Sequence, residues 1–221
     1  MTFDPLQRST SRPGQDLLHS FHTADIDYEF VDLDGKQTDK EIVFYAGGQW
    51  LSQQGQQHLL DYVEDGGHLV FVGEIPTRDE HMNPLNLLNL PQPSGIISAL
   101  SKAHLELFDG HSIESGWWHS YDDVAGDPIA VKRLPYRHQP SEELMLQFSL
   151  QEELTYNVGY RLKRGSGTIT VIGLEPSAEL LLSLHQHFNV TIALRSTVPD
   201  VTSALFERDG EFYVIATNDG T

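Results

Sequence analysis

The chain has 221 residues, and 14 Lys and Arg against 32 Asp and Glu give it a formal net charge of −18. This length suits one α/β domain, or one domain with a small appendage. The acidity argues against nucleic acid as a partner, because phosphate binding needs a basic face. No apolar run approaches the roughly 20 residues of a membrane span, and the N-terminus lacks the pattern of a signal peptide. We therefore expect a cytoplasmic protein with neither a nucleic-acid nor a membrane partner.

Cysteine and lysine usage narrow the chemistry further. The absence of cysteine excludes disulfides, thiolate metal sites and cysteine nucleophiles. Only five of the basic residues are lysines. A surface rich in carboxylates and poor in lysine is typical of proteins that work in concentrated salt, where the salt screens carboxylate repulsion. An ordinary acidic protein would show the same balance, so salt adaptation is one of two hypotheses.

Apolar runs alternate with helical periodicity in the first third of the chain. The patterns predict a helix over 15–25, a strand over 27–32, a buried strand over 42–46, a helix over 53–65 and a buried strand over 68–72. Ser52 is the predicted N-cap of the second helix, and Gly66-Gly67 its predicted stop. A strand over 168–172 and a helix over 177–188 repeat the pattern later. We therefore predict an α/β fold, a flavodoxin-like three-layer sandwich around a mostly parallel sheet.

The remaining segments are less regular. We predict a strand over 104–108, a loop over 134–143 and ribbon strands over 145–150 and 154–162, whereas 115–121 lacks a regular pattern. Arg208-Asp209-Gly210 indicates a hairpin between strands over 204–207 and 211–217. We expect an α/β domain over 1–198 and the start of a following β-rich domain over 199–221, so that the chain is a piece of a longer polypeptide.

Catalytic machinery is not evident. The strand-to-helix elbow after Val72 reads Gly73-Glu74-Ile75-Pro76 and holds no Ser or Cys nucleophile. The chain has no phosphate-binding glycine motif and no H-E-x-x-H. We therefore expect no catalytic residue, no cofactor and no metal in this chain, and whether it belongs to an enzyme stays open at this point.

Two features could still contact a ligand or a partner. Glu74 and Glu175 both follow buried strands. A catalytic pair of glycosidase carboxylates is disfavoured, because a glycosidase barrel of about 250 residues cannot fit in this chain. We favour a role for these residues in lining the edge of the sheet. The stretch 115–121 contains Trp117, Trp118 and His119. Exposed indoles stack on sugars or anchor interfaces, but these could equally cap the core of the sheet.

The stretch 42–90 resembles the middle domain of β-galactosidases of glycoside hydrolase families 35 and 42. The resemblance lies in an apolar strand, W-L-S at the helix start and L-x-x-Y-V-x-x-G-G-x-L-V-x-x-G, and it continues through 156–173. The tail over 205–218 is similar to the start of the β-sandwich that follows that domain. The resemblance implies a class I glutamine amidotransferase-like fold without its nucleophile, used for trimerisation or other oligomer assembly. The catalytic glutamates of these families lie in a barrel that is absent here.

The sequence thus predicts a non-catalytic domain of a β-galactosidase-type enzyme that serves subunit association and lines a carbohydrate site. Its expected partners are other domains of the same polypeptide, further copies of the chain and a galactoside. The candidate interface or sugar-facing residues are Glu74, Arg78, Trp117, Trp118 and His119. The alternative is a stand-alone sugar-binding or sugar-processing α/β protein of the ThuA-like kind.

Overall fold

A computed structural model describes residues 13–26, 28–33, 40–45, 47–107, 110–122, 124–133, 155–188, 201–208 and 211–218. The chain divides into two compact units, one of residues 33–175 and the other of residues 1–32 with 176–221. The predicted domain boundary at 198/199 stays a prediction.

The elements in chain order are α1 (Pro13–Thr23), β1 (Ile42–Tyr45), α2 (Gln53–Glu64), β2 (His68–Val72), β3 (Gly95–Glu106), β4 (Ser112–Ser120), β5 (Asp127–Arg133), β6 (Thr155–Arg164), β7 (Gly167–Ile172), α3 (Ala178–Phe188), β8 (Val201–Arg208) and β9 (Glu211–Asn218). The helices and buried strands predicted from periodicity are confirmed to within a few residues, and so is the hairpin of β8 and β9. The predicted strand over 27–32 is wrong, because residues 28–32 are irregular. The expected strand over 145–150 and the loop over 134–143 lie outside the described residues.

The larger unit is built on a seven-stranded sheet with the order β1-β2-β7-β6-β5-β3-β4. The pairs β1/β2 and β2/β7 are parallel, whereas β7/β6, β6/β5, β5/β3 and β3/β4 are antiparallel. The α/β class is therefore confirmed, but the mostly parallel, flavodoxin-like sheet is not, because the sheet is mixed.

In the antiparallel half, the predicted strand over 154–162 is confirmed as β6 and the one over 104–108 as the end of β3, and bulges explain why the other strands were missed. The register between β3 and β4 shifts between Ser98 and Ala103, and the register between β5 and β6 shifts between Ile129 and Ala130. An extra residue in one strand reverses the faces that later side chains point to, so the alternation of apolar and polar residues breaks. The stretch 115–121, expected to be irregular, is mostly strand β4.

Helix α2 packs on the sheet and supplies much of its core. The Ser52 hydroxyl caps the first turn by accepting from the Gly55 N–H at 3.0 Å. Gly66 takes a positive φ of 114° at the other end, and the N–H groups of Gly66 and Gly67 close the last turn. Leu59, Tyr62 and Val63 join the buried cluster formed with β1, β2 and β7.

The antiparallel part of the sheet curls back towards the parallel part. Beyond the ladder with β3, the end of β4 meets the segment after β7 through a bridge between Trp118 and Leu174. The His119 N–H donates to the Gly173 carbonyl at 2.7 Å, and the Tyr121 N–H to the Asn157 carbonyl at 2.9 Å. The aromatic stretch of β4 is thereby fixed beside the ends of the parallel strands.

In the smaller unit, α1 and α3 pack against each other. The Phe21 ring meets the His185 ring edge-on at 6.2 Å, among buried leucines of both helices. No helix in the described part of the chain is long and apolar enough to cross a membrane.

Candidate functional site

The candidate site of the larger unit lies where its parallel strands end. β1, β2 and β7 run in the same direction, so the residues that follow them share one edge of the sheet. Gly48 and Gln49 follow β1, Gly73 and Glu74 follow β2, and Glu175 follows β7. Ligands of α/β sheets commonly bind at this carboxyl edge.

Glu74 is a half-buried carboxylate at this edge. Burial raises the pKa of its carboxyl above the ordinary value, and a hydrogen bond from the Gln49 side chain acts in the opposite direction. Burial also raises the pKa of the Tyr45 phenol, with a further contribution from the Glu74 charge. The phenol donates to the Gly48 carbonyl at 3.0 Å. Glu74 thus lies in a low-dielectric corner without a compensating cation among the described residues.

Trp117 and His119 flank this corner from β4. A Cβ placed on Gly73 would lie 3.5 Å from the Trp117 indole, so the indole covers the backbone next to Glu74. The rings of Trp117 and His119 are 5.2 Å apart. Burial lowers the pKa of His119, and its hydrogen bond with the Gly73 carbonyl opposes that shift. The structure thus brings three of the predicted residues, Glu74, Trp117 and His119, to one place.

Trp118 points away from this place into the protein. It is 0% exposed and meets the Tyr156 ring at 5.4 Å. Because neighbouring residues of a strand face opposite sides of a sheet, Trp117 and Trp118 cannot line the same surface. The contacts of Trp118 are those of a core residue.

Glu175 has a structural contact in place of a free carboxylate. One of its oxygens accepts from the Gly116 backbone N–H at 2.9 Å. The contact ties β4 to the segment after β7. This hydrogen bond occupies one oxygen of the carboxylate for which the sequence predicted a role in lining the edge of the sheet.

Arg78 lies in a separate, exposed loop after β2. Its guanidinium donates to the Met82 carbonyl within the same loop at 2.9 Å. Its backbone forms a bridge with Trp50, and the Leu51 N–H donates to the Arg78 carbonyl at 2.9 Å. Trp50 is 62% exposed and Met82 57% exposed. We call the exposed side chains of Trp50, Arg78 and Met82 the loop surface.

A buried amide holds the loop surface in place. Gln56 of α2 is 0% exposed. Its amide nitrogen donates to the carbonyls of Leu51 and Arg78 at 3.1 and 3.2 Å, and its side-chain oxygen accepts from the Leu87 N–H at 3.1 Å. This loop therefore has a fixed conformation although its side chains are exposed.

Sequence analysis missed both Trp50 and Gln56 as contributors. Trp50 lies two residues before the N-cap Ser52, and nothing in the local sequence pattern distinguishes an exposed tryptophan there from a buried one. Gln56 follows the small Gly55 on the helix, and nothing in the local pattern distinguishes a buried glutamine from a solvated one. Among the described residues, no group of three or more His, Asp or Glu could hold a metal ion.

Comparisons with known proteins agree with this fold. Residues 8–108 match the family model described as GLMA-like, second domain. The expected resemblance is confirmed. No curated protein matches the sequence.

Several solved β-galactosidase structures are similar to this chain. The β-galactosidase from Bacillus circulans sp. alkalophilus matches 92% of this chain with a TM-score of 0.66 at 15% identity. A catalytic mutant of Gan42B, a GH42 β-galactosidase from G. stearothermophilus, matches 92% of this chain with a TM-score of 0.64 at 13% identity. The β-galactosidase from the Antarctic haloarchaeon Halorubrum lacusprofundi matches 86% of this chain with a TM-score of 0.60 at 12% identity. The chain spans 30, 30 and 28% of these enzymes, respectively, and shares the fold of that part.

Proposed function

We propose that this chain is a non-catalytic, amidotransferase-like domain of a β-galactosidase-type glycoside hydrolase, and that it serves subunit association. The observation that supports this most directly is the shared fold with about 30% of the length of such enzymes. The match of residues 8–108 to a second-domain family points the same way. The elbow after β2 carries Glu74 in place of a nucleophile, which agrees with a non-catalytic role.

The loop surface is the part of the larger unit that we assign to association. Exposed Trp, Met and Arg are the side chains enriched at protein interfaces. The polar groups around them already have partners: Asp79 accepts from His81 and Asn83, Glu80 from the Gln53 N–H, and Arg78 donates to Met82. The apolar side chains therefore dominate what a partner meets. This composition fits another protein surface, in our proposal a further copy of the chain or another domain of the same polypeptide.

The five predicted site residues receive different roles in this proposal. Arg78 belongs to the association surface. Glu74, Trp117 and His119 belong to a ligand-lining edge, with a galactoside as the proposed ligand. Trp118 packs the core.

Sedimentation velocity of the chain and two variants tests the association proposal. We expect self-association of the parent chain and a shift towards monomer in Trp50→Ala, because an interface tryptophan commonly contributes about 2 kcal/mol or more. Ile96→Ser is the matched control, since Ile96 is 67% exposed on β3, outside the loop surface. A monomeric parent chain, or equal weakening by both variants, would refute the assignment. Hydrolysis of a chromogenic galactoside by the chain alone would refute the non-catalytic role.

A further inference from the structure

We propose that Met82 is a sulfoxidation site and that its oxidation by a peroxide weakens the association of this domain. The proposal rests on the proposed function, because it assigns a means of regulation to the same loop surface. One oxygen atom of the peroxide is transferred to the thioether sulfur. An S–O bond forms, the O–O bond breaks, the sulfur is oxidised and the peroxide is reduced to water. The product is methionine sulfoxide, which sulfoxide reductases convert back to methionine.

Met82 is a methionine that the structure presents to solvent. It is 57% exposed, so a small oxidant can reach its side chain. The chain has three methionines, and the other two, Met1 and Met145, lie outside the described residues. The chain has no cysteine, so no thiol of its own competes for the oxidant. Met82 should therefore react as a solvated thioether does.

The backbone at Met82 has a conformation that bulky side chains rarely adopt. Its φ of 65° lies in the left-handed region that favours glycine and asparagine. The Met82 N–H donates to the Asp79 carbonyl at 3.1 Å, and the Asp79 carboxylate accepts from the N–H groups of His81 and Asn83 at 2.9 and 2.8 Å. Strained positions held in this way cluster at functional sites. Here the strained residue is the one that displays the thioether.

Met82 is linked to the other members of the loop surface through Arg78. The Arg78 guanidinium donates to the Met82 carbonyl at 2.9 Å, and the Arg78 backbone forms a bridge with Trp50. The two exposed apolar side chains thus belong to neighbours of the same arginine. A thioether can be covered by an apolar partner surface, whereas a sulfoxide is polar and loses its hydration when it is covered. Oxidation of Met82 therefore opposes association through this surface.

Association and oxidation of Met82 should oppose each other in both directions. The sulfoxide weakens the complex, and a partner that covers Met82 shields its sulfur from the peroxide. This reciprocity is required by linkage between the two equilibria. The rate of oxidation at Met82 should therefore fall as the concentration of the chain rises above the dissociation constant.

Sedimentation velocity before and after hydrogen peroxide tests this switch, with peptide mass spectrometry to locate each added oxygen. We expect an added oxygen at Met82 and a dissociation constant raised about tenfold or more, as for the loss of a central interface side chain. Sulfoxide reductase should restore the original constant. Met82→Gln places a polar amide at this position and should weaken association without any oxidant.

Two variants separate Met82 from the other methionines. Met82→Leu retains Met1 and Met145, and its dissociation constant should be the same before and after peroxide, whatever its starting value. Met145→Leu retains Met82, and peroxide should weaken its association as it does in the parent chain. If Met82→Leu is monomeric from the start, the mass spectra decide, because the weakening must follow the sulfoxide at Met82 and not oxygen at the other two positions.

Three results would overturn the proposal. The first is a parent chain that carries the sulfoxide at Met82 and still associates as before. The second is a Met82→Leu variant that peroxide dissociates. The third is a Met82 that stays unmodified while another methionine is oxidised. A parent chain that is monomeric before any oxidant is added refutes the proposed association and the switch together, so this failure is distinguishable from the other three.

Discussion

The Glu175 carboxylate accepts a hydrogen bond from the Gly116 N–H at 2.9 Å and so joins the segment after β7 to the edge strand β4. Gly116 lies opposite the bulge of β3: Ser115 pairs with Ala103 and Trp117 with Ser98, which leaves Gly116 without a partner in that register. A side chain from another part of the chain therefore satisfies a donor that the irregular ladder leaves unpaired.

Replacing Glu175 tests how much this contact contributes. Glu175→Ala should lower the free energy of unfolding by about 1.5–3 kcal/mol, because it removes a charged acceptor and leaves the Gly116 N–H unsatisfied. Glu175→Gln retains an amide oxygen that can accept and should cost less. Urea denaturation of the three proteins provides the measurement. Equal losses in the two variants would show that the hydrogen bond is not what stabilises this edge.

The buried amide of Gln56 gives a second prediction. Gln56→Leu keeps the volume but removes the side-chain partner of the Leu51 carbonyl and of the Leu87 N–H, and one of two donors to the Arg78 carbonyl. We expect a loss of at least about 1–3 kcal/mol, the usual cost of an unsatisfied buried group. Gln57→Leu is the matched control on the same helix, because Gln57 is exposed and its side chain donates to the neighbouring Asp61. Similar unfolding free energies for the two variants would contradict the role of Gln56.

Close packing of β6 against β7 gives a third prediction. A Cβ on Gly159 would collide with the carbonyl oxygen of Val171, a backbone atom that cannot rotate away. Gly159→Ala should therefore destabilise the chain by about 1–3 kcal/mol or more. In the control Gly95→Ala, the nearest atom would be the rotatable Ser120 hydroxyl at 3.3 Å. Thermal denaturation should separate the two variants, and coincident transitions would count against the collision.

The parallel elements could be predicted from sequence because their signals are local. β1, β2 and β7 are short apolar runs, and α2 has both a capping serine and a glycine stop. Of the antiparallel half, only β6 and the end of β3 were predicted, since bulges break the alternation in the other strands and the pairing is set by contacts distant in sequence. The strand order β5-β3-β4 has no local signature at all.

The candidate site was predictable only in part for the same reason. Glu74 could be placed at the edge because it directly follows a buried strand. That Trp117 reaches it depends on the curl of β4, and which of the two adjacent indoles is buried depends on the strand register. The exposure of Trp50 and the burial of Gln56 are set by the long loop that follows β2, beyond any local window.

Stability should depend on pH through Glu74. Burial raises the folded-state pKa of Glu74 above 4.5, so the folded chain binds more protons than the unfolded chain between the two pKa values. The free energy of unfolding therefore falls as pH rises through that window. Glu74→Gln removes this loss and should be more stable than the parent chain at about pH 7.5, with a smaller gain at about pH 4.

His119 should change the free energy of unfolding with pH in the opposite direction, and it therefore serves as the control. Its folded-state pKa lies below 6.5, so its contribution to stability is lost as pH falls below that value. His119→Gln should therefore gain stability relative to the parent chain at about pH 5 compared with about pH 7.5. Urea denaturation at both pH values measures each difference. A Glu74→Gln variant that is less stable than the parent at about pH 7.5 would mean that the carboxylate is well solvated or paired.

Salt should stabilise the folded chain. At a formal net charge of −18, mutual repulsion of carboxylates opposes the compact state. The screening length falls from about 10 Å at 0.1 M salt to about 3 Å at 1 M, which removes most of this repulsion. The melting temperature should therefore rise between about 0.1 and 1 M KCl, and most of the rise should occur below about 0.5 M if screening is the cause. A continued rise at higher concentration would point to salt adaptation of the surface, and a flat response would exclude both explanations.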